Sequence, residues 1–135
     1  MGVKMCAFEP IPEEVEKVAT VAVDAAFKVH KVLGPGLLES VYEECLSYEL
    51  KKRGIKVERQ ISLPIVYEDL RLDAGLRLDM GVGETIILEI KSVDKMNPIY
   101  EAQLLTYLKL SGLRLGLLIN FNVPAIKYGI KRIVL

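Results

Sequence analysis

The residues best placed to do chemistry are Asp79 and the tripeptide Glu89-Ile90-Lys91. Glu89 and Lys91 interrupt a run, Thr85-Ile86-Ile87-Leu88-Glu89-Ile90-Lys91, that otherwise reads as a buried strand. Burying a carboxylate and an ammonium there is costly unless something compensates, and a divalent metal ion would. Period two places Ile87, Glu89 and Lys91 on one strand face and Ile86, Leu88 and Ile90 on the other. Asp79 closes the preceding strand, with Arg77 on its side. If the two strands form a hairpin, the two carboxylates come close, which makes either a raised pKa or a metal site. Oxygen ligands favour magnesium or manganese, and the backbone carbonyl of Ile90 could add one more oxygen. Lys91 would then orient or activate a water, or stabilise negative charge on a phosphate. The competing reading is a salt bridge on a solvated strand face.

Three other residues stand out. Gln103 falls inside the apolar stripe of a helix, with Ile99, Leu104, Tyr107 and Leu110 around it. A buried amide must find partners, and Tyr107, four residues on, can point its hydroxyl the same way. Gln103 could equally cap a nearby strand backbone. Glu39 opens a helix on the side of Tyr42, Leu46 and Leu50. The plain reading is that its charge complements the helix N-terminus; the other is a third carboxylate for the same metal. His30, the one histidine, precedes a glycine break and reads as a packed or capping residue, or as a further ligand.

The elements that must position these residues follow from periodicity. Residues 1–11 read as a loose leader and 12–135 as one domain. Pro12-Glu13-Glu14 opens a first helix, which carries Val15, Val18, Ala19, Ala22, Ala25, Ala26 and Val29 at helical spacing and ends at Gly34-Pro35-Gly36. A second runs from Leu38 to Arg53, with Val41, Tyr42, Cys45, Leu46 and Leu50 as its stripe and Gly54 as its cap. The period then becomes two. Val57 to Val66, Arg71 to Met80 and Thr85 to Val93 read as an antiparallel meander, with Pro64 marking an edge or a bulge. A helix from Pro98 to Leu110, a strand from Leu115 to Asn120 and a last strand from Ile130 to Leu135 complete a small α/β sheet. The crossover helix requires at least one parallel pairing.

Composition narrows the class. The chain has 135 residues, 51% hydrophobic and 27% charged, which suits one globular domain. No apolar run approaches the ~20 residues of a membrane helix, and the N-terminus has no signal-peptide core, so the expectation is a cytoplasmic protein with no membrane partner. The cysteines, Cys6 and Cys45, lack metal-site spacing and read as free thiols. The formal net charge is zero, which weighs against a strongly basic nucleic-acid surface. Lys51-Lys52-Arg53 and Lys127 to Arg132 are local basic clusters, read as solvated ends.

Taken together, Asp79, Glu89-Ile90-Lys91, Gln103 and Tyr107 resemble the PD-(D/E)XK nuclease superfamily. The Gln-x-x-x-Tyr element resembles its RecB-like branch. Gly36-Leu37-Leu38-Glu39-Ser40-Val41-Tyr42 is similar to the signature of the GxxExxY proteins. Arg77-Leu78-Asp79, Ala102 to Leu108 and Gly116 to Phe121 fit as well, over about residues 15–135. The resemblance implies a restriction-endonuclease-like core, a central mixed β-sheet flanked by α-helices. It also implies magnesium-dependent (or manganese-dependent) cleavage of phosphodiester bonds in nucleic acid, DNA first. Asp79 and Glu89 would be metal ligands, Lys91 the catalytic lysine and Glu39 the carboxylate from the first core helix. Gln103 and Tyr107 would position the lysine or the substrate backbone, and His30 would stand in for the histidine of the RecB-like branch. A nuclease fold that only binds nucleic acid or a protein partner is the alternative, and the neutral charge supports it. A homodimer is compatible with a small domain that has exposed strand edges.

Overall fold

Small side chains set how closely the first helix lies on the sheet. In the computed structural model, which describes residues 9–135, α1 (Glu13–Leu33) buries Ala19, Ala22, Ala25 and Ala26 along one stripe. Pro12 precedes it, three glutamates fill its first turn, and Gly34, at φ 73°, ends it, as the sequence predicts. Most of the expected leader, residues 1–8 with Cys6, lies outside the described residues. The second helix, α2 (Glu39–Lys52), buries Tyr42, Leu46 and Leu50. Val41, expected in its stripe, is exposed, and Cys45 is a free thiol.

Five strands follow: β1 (Val57–Tyr67), β2 (Leu70–Val82), β3 (Ile86–Lys91), β4 (Leu115–Asn120) and β5 (Ile130–Val134). The third helix, α3 (Ile99–Ser111), links β3 to β4 and ends on Gly112 in the left-handed conformation. The sheet order is β1-β2-β3-β4-β5. Only β3 and β4 run parallel, as a crossover helix requires. The result is a mixed sheet flanked by three helices. Pro64 sits on the edge strand where the β1–β2 register shifts, between Leu63 and Ile65, so it marks both an edge and an irregularity. The sequence reading missed the short 3-10 turn Ile126–Tyr128 between β4 and β5.

The meander is not uniform. β1 and β2 pair to the tip of their hairpin, but β2 pairs with β3 only through Met80, Gly81 and Val82. The β1–β2 ribbon therefore leaves the sheet, carrying exposed Val66, Tyr67, Leu70 and Leu72 at its end. It also changes sides. Met80 and Val82 join the core beneath α1 and α2. Leu76 and Leu78 join the second core, with Ile87, Leu118 and the α3 residues Leu104 and Leu108. Strict period two would keep these β2 residues on one face. The switch falls at Asp79, opposite Gln60, whose φ is 51°.

Two close approaches fix the sheet, one beneath α3 and one at the end of β4 beside Lys91. Leu104 seats α3 on Gly116, where an added Cβ would lie 2.9 Å from Leu104 Cδ1. Gly129 closes the 3-10 turn, and its carbonyl accepts from Asn120 N–H at 2.8 Å. A Cβ on Gly129 would lie 2.1 Å from the Asn120 carbonyl oxygen, a backbone atom with no rotamer to change. Gly129→Ala is therefore expected to lower unfolding stability by roughly 1–3 kcal/mol. Urea denaturation checks this, and an unchanged midpoint would contradict it.

Candidate active site at the strand fork

The β2–β3 ladder stops at Met80 and Leu88; the next pair in that register is Asp79 with Glu89. There the strands part, and side chains replace the ladder. Asp79 N–H donates to Glu89 Oε2 at 2.9 Å, and Ile90 N–H donates to Asp79 Oδ2 at 2.9 Å. Each carboxylate thus satisfies a backbone donor on the opposite strand, and the two acids are locked face to face. Glu89 is buried and Asp79 half-buried. Burial, then the charge of Asp79, pushes the Glu89 carboxyl up to about 7. Burial likewise raises Asp79, against the opposing effects of the Ile90 N–H and the Lys91 charge.

Lys91 follows on the same β3 face, its ammonium 4.5 Å from the centre of the Tyr100 ring. Its charge favours the ionised form of both acids. Tyr107 stands on the same side. Burial raises its phenol, and the charges of Glu89 and Asp79 raise it further. Glu39, exposed at the start of α2, accepts from Ser92 N–H at 3.4 Å, and its charge acts on Asp79. Its approach is set by Tyr42, whose hydroxyl donates to the Gly34 carbonyl at 2.6 Å and accepts from Leu37 N–H at 3.1 Å. The Tyr42 ring stacks on Phe121, with centroids 4.5 Å apart. Ser92 Oγ donates to the Leu37 carbonyl at 2.6 Å, closing the loop onto β3.

Gln103 corrects an expectation. It is exposed rather than buried, and its side chain makes no hydrogen bond among the described residues. Helix α3 meets the sheet through Leu104 and Leu108, while Ile99, Leu105 and Leu110 face outward. The stripe is narrower than the apolar residues imply, and Gln103 lies outside it. His30 is buried, with Nε2 at 2.8 Å from the Val123 carbonyl. Among the described residues, no three His, Cys, Asp or Glu side chains cluster tightly enough to cage an ion, so neither His30 nor Glu39 closes on the Asp79–Glu89 pair. Half of the basic residues in the two clusters are spent in ion pairs, Arg53 with Asp24 and Glu49, Lys131 with Glu101, and Arg132 with Glu16.

Some nearby residues escaped the sequence reading. Buried Glu43, one turn after Glu39, takes Arg59 Nε at 2.9 Å, and its charge reaches Glu89. Its place beside Tyr42 and Leu46 was visible in the helical spacing. Tyr100 shares a helix face with Tyr107 and was equally visible. Buried Asn120 bonds both the N–H and the carbonyl of Val93, pinning the chain just after Lys91. Nothing in the sequence announces that.

A family model described as the PD-(D/E)XK nuclease superfamily matches residues 16–133. The chain belongs to the PD-(D/E)XK nuclease superfamily. Comparisons with curated proteins and with solved structures give no match. Membership points to nuclease chemistry on nucleic acid, and nucleases of this superfamily generally use divalent metal ions. The donor set at the fork fits such an ion: two adjacent carboxylates, no thiolate or imidazole, and Glu89 Oε1 left without a hydrogen bond among the described residues. No helix among the described residues is long and apolar enough to cross a membrane.

The raised Glu89 carboxyl has a measurable consequence. The folded, metal-free protein keeps a proton that the unfolded chain releases above pH 4.5. Stability should therefore fall as pH rises from about 4.5 to about 7 and level off above, by at most roughly 3 kcal/mol from this group. Glu89→Gln keeps an oxygen for Asp79 N–H and carries no titrating proton. Chemical denaturation across that range is expected to show a shallower decline for the variant; parallel curves would contradict the assignment.

Proposed function

We propose that the protein is a metal-dependent nuclease that hydrolyses phosphodiester bonds, with DNA as its first candidate substrate. The observation that carries this reading is the pair of crossed carboxylates at the fork, with Lys91 beside them. Asp79, Glu89 and the Ile90 carbonyl would hold magnesium or manganese; Glu39 stands outside this set, on Ser92 N–H, and would join it only by leaving that contact. A bound ion there would polarise the phosphate and acidify a coordinated water. Lys91 would, as an ammonium, place a positive charge where the attacked phosphate gains negative charge, or, as a neutral amine, help to take the water's proton. Tyr100 holds that ammonium over its ring. Tyr107 and exposed Gln103 lie one turn apart on α3, where they would meet the substrate backbone. His30 is not in this ligand set, because its Nε2 is engaged by Val123. The Gly36-to-Tyr42 segment supports the narrower kinship with the GxxExxY group, and Gln103 with Tyr107 supports the RecB-like branch.

Net neutrality favours a second reading, a nuclease fold that binds without turnover. The test is cleavage of single- and double-stranded DNA with magnesium or manganese. Asp79→Asn, Glu89→Gln and Lys91→Ala are each expected to lower the rate at least about 100-fold with the fold intact by circular dichroism. Cleavage that survives all three substitutions overturns the site. A folded wild-type protein that binds neither metal favours the binding module. For Lys91, Tyr100→Phe should keep most of the rate and Tyr100→Ala should lose about 10-fold, since the ring face rather than the hydroxyl holds the ammonium. Equal rates for the two variants would remove Tyr100 from the account.

A further inference from the structure

Gln60 breaks two rules of a regular strand. Its φ of 51° lies in the left-handed region, which side-chain-bearing residues rarely adopt. It also drops out of the β1–β2 ladder. Arg59 pairs with Met80 and Ile61 with Leu78, but Gln60, opposite Asp79, has no partner in that register. Such a conformation persists only when its surroundings hold it, and it concentrates where a side chain must be aimed. The surroundings here are specific. Gln60 Nε2 donates to Glu43 Oε1 at 2.9 Å. Glu43 is 8% exposed, and its other oxygen is held by Arg59 Nε at 2.9 Å. Gln60 stands across from Asp79 between the Arg59–Met80 and Ile61–Leu78 pairs, and its side chain favours the charged form of the Asp79 carboxylate. Its Oε1 accepts from Arg77 Nη1 at 3.4 Å. A chain of hydrogen bonds therefore runs from Arg59 through Glu43 to Gln60, and ties α2 to the edge strand at the position facing Asp79.

We propose that Gln60 is a positioning residue for the metal site: its amide, anchored on buried Glu43, sets the ligating orientation of the Asp79 carboxylate. The left-handed backbone is retained because it turns the amide to Glu43 at the position that faces Asp79. The proposal rests on reading Asp79 as a metal ligand. Partners of this kind fix the geometry of a ligand without touching the ion, and losing one typically weakens metal affinity 10–100-fold.

Glycine is the natural residue at this φ. Gln60→Gly removes the amide and at the same time relaxes the backbone, so its two effects separate. A merely structural glutamine would lower stability when replaced. Relief of the strained backbone offsets the donor lost to buried Glu43, so a positioning glutamine should leave the thermal midpoint near the wild-type value while Mn2+ binding, read by calorimetry near neutral pH, weakens on the order of 10-fold or more. Gln60→Asn tolerates the same backbone, but its amide is one carbon too short to span Glu43 and Asp79, so it should weaken binding similarly. Wild-type Mn2+ affinity in both variants overturns the proposal while leaving Asp79 as a ligand. A lower midpoint and weaker binding together, in both variants, make Gln60 structural and also overturn it. A folded wild-type protein that takes up no Mn2+ overturns the reading of Asp79 itself, and the proposal with it.

Discussion

The site depends on one exchange: two carboxylates standing in for the hydrogen bonds a β-ladder would have made. Asp79 and Glu89 cross-bridge the backbones of β2 and β3 where these strands part. A regular ladder would have hidden both acids in a continuous sheet. A plain gap would have left backbone donors unpaired at a cost comparable to a lost hydrogen bond. The crossed arrangement opens the sheet and satisfies the donors at once. It also forces two like charges together in a poorly solvated place, which accounts for the raised Glu89 carboxyl. A divalent cation between the two acids would offset that charge.

Other parts of the fold hold the fork in shape. Asn120 fastens the chain just past Lys91. Tyr42 is stacked on Phe121 and bonded to both sides of the Gly34–Leu37 turn, so it fixes the start of α2 and carries Glu39 toward Ser92. This gives the Gly36-to-Tyr42 segment a physical reason: the glycine makes the turn, the tyrosine ties it, and the glutamate is what the tie delivers. On the other face, α3 lies close to β4 because Gly116 has no side chain to keep Leu104 away. That closeness brings Tyr100 and Tyr107 to Lys91 and the acids.

Much of this was legible in the sequence, for reasons that are local. Alternation along Ile86–Lys91 assigned each side chain to its face, glycines marked the helix ends, and Pro64 marked the edge and its irregularity. Asp79, Glu89 and Lys91 stood out because charge in an apolar run is costly wherever the strand sits. Gln103 misled because a helical stripe counted from apolar residues alone does not say which arc meets the sheet. Ile99, Leu105 and Leu110 are apolar and exposed, and the arc is chosen by Leu104 settling on Gly116. Gln60 could not be read at all, because its left-handed backbone and its bridge to Glu43 arise only once β1, β2 and α2 meet.

On this view the crossed carboxylates form a cation site. It is tested most directly by growing crystals, soaking them in manganese and collecting anomalous diffraction. The account predicts a peak bounded by Asp79, Glu89 and the Ile90 carbonyl, with Lys91 facing it. A clean map with no peak at the fork, or with manganese bound only elsewhere, would contradict it.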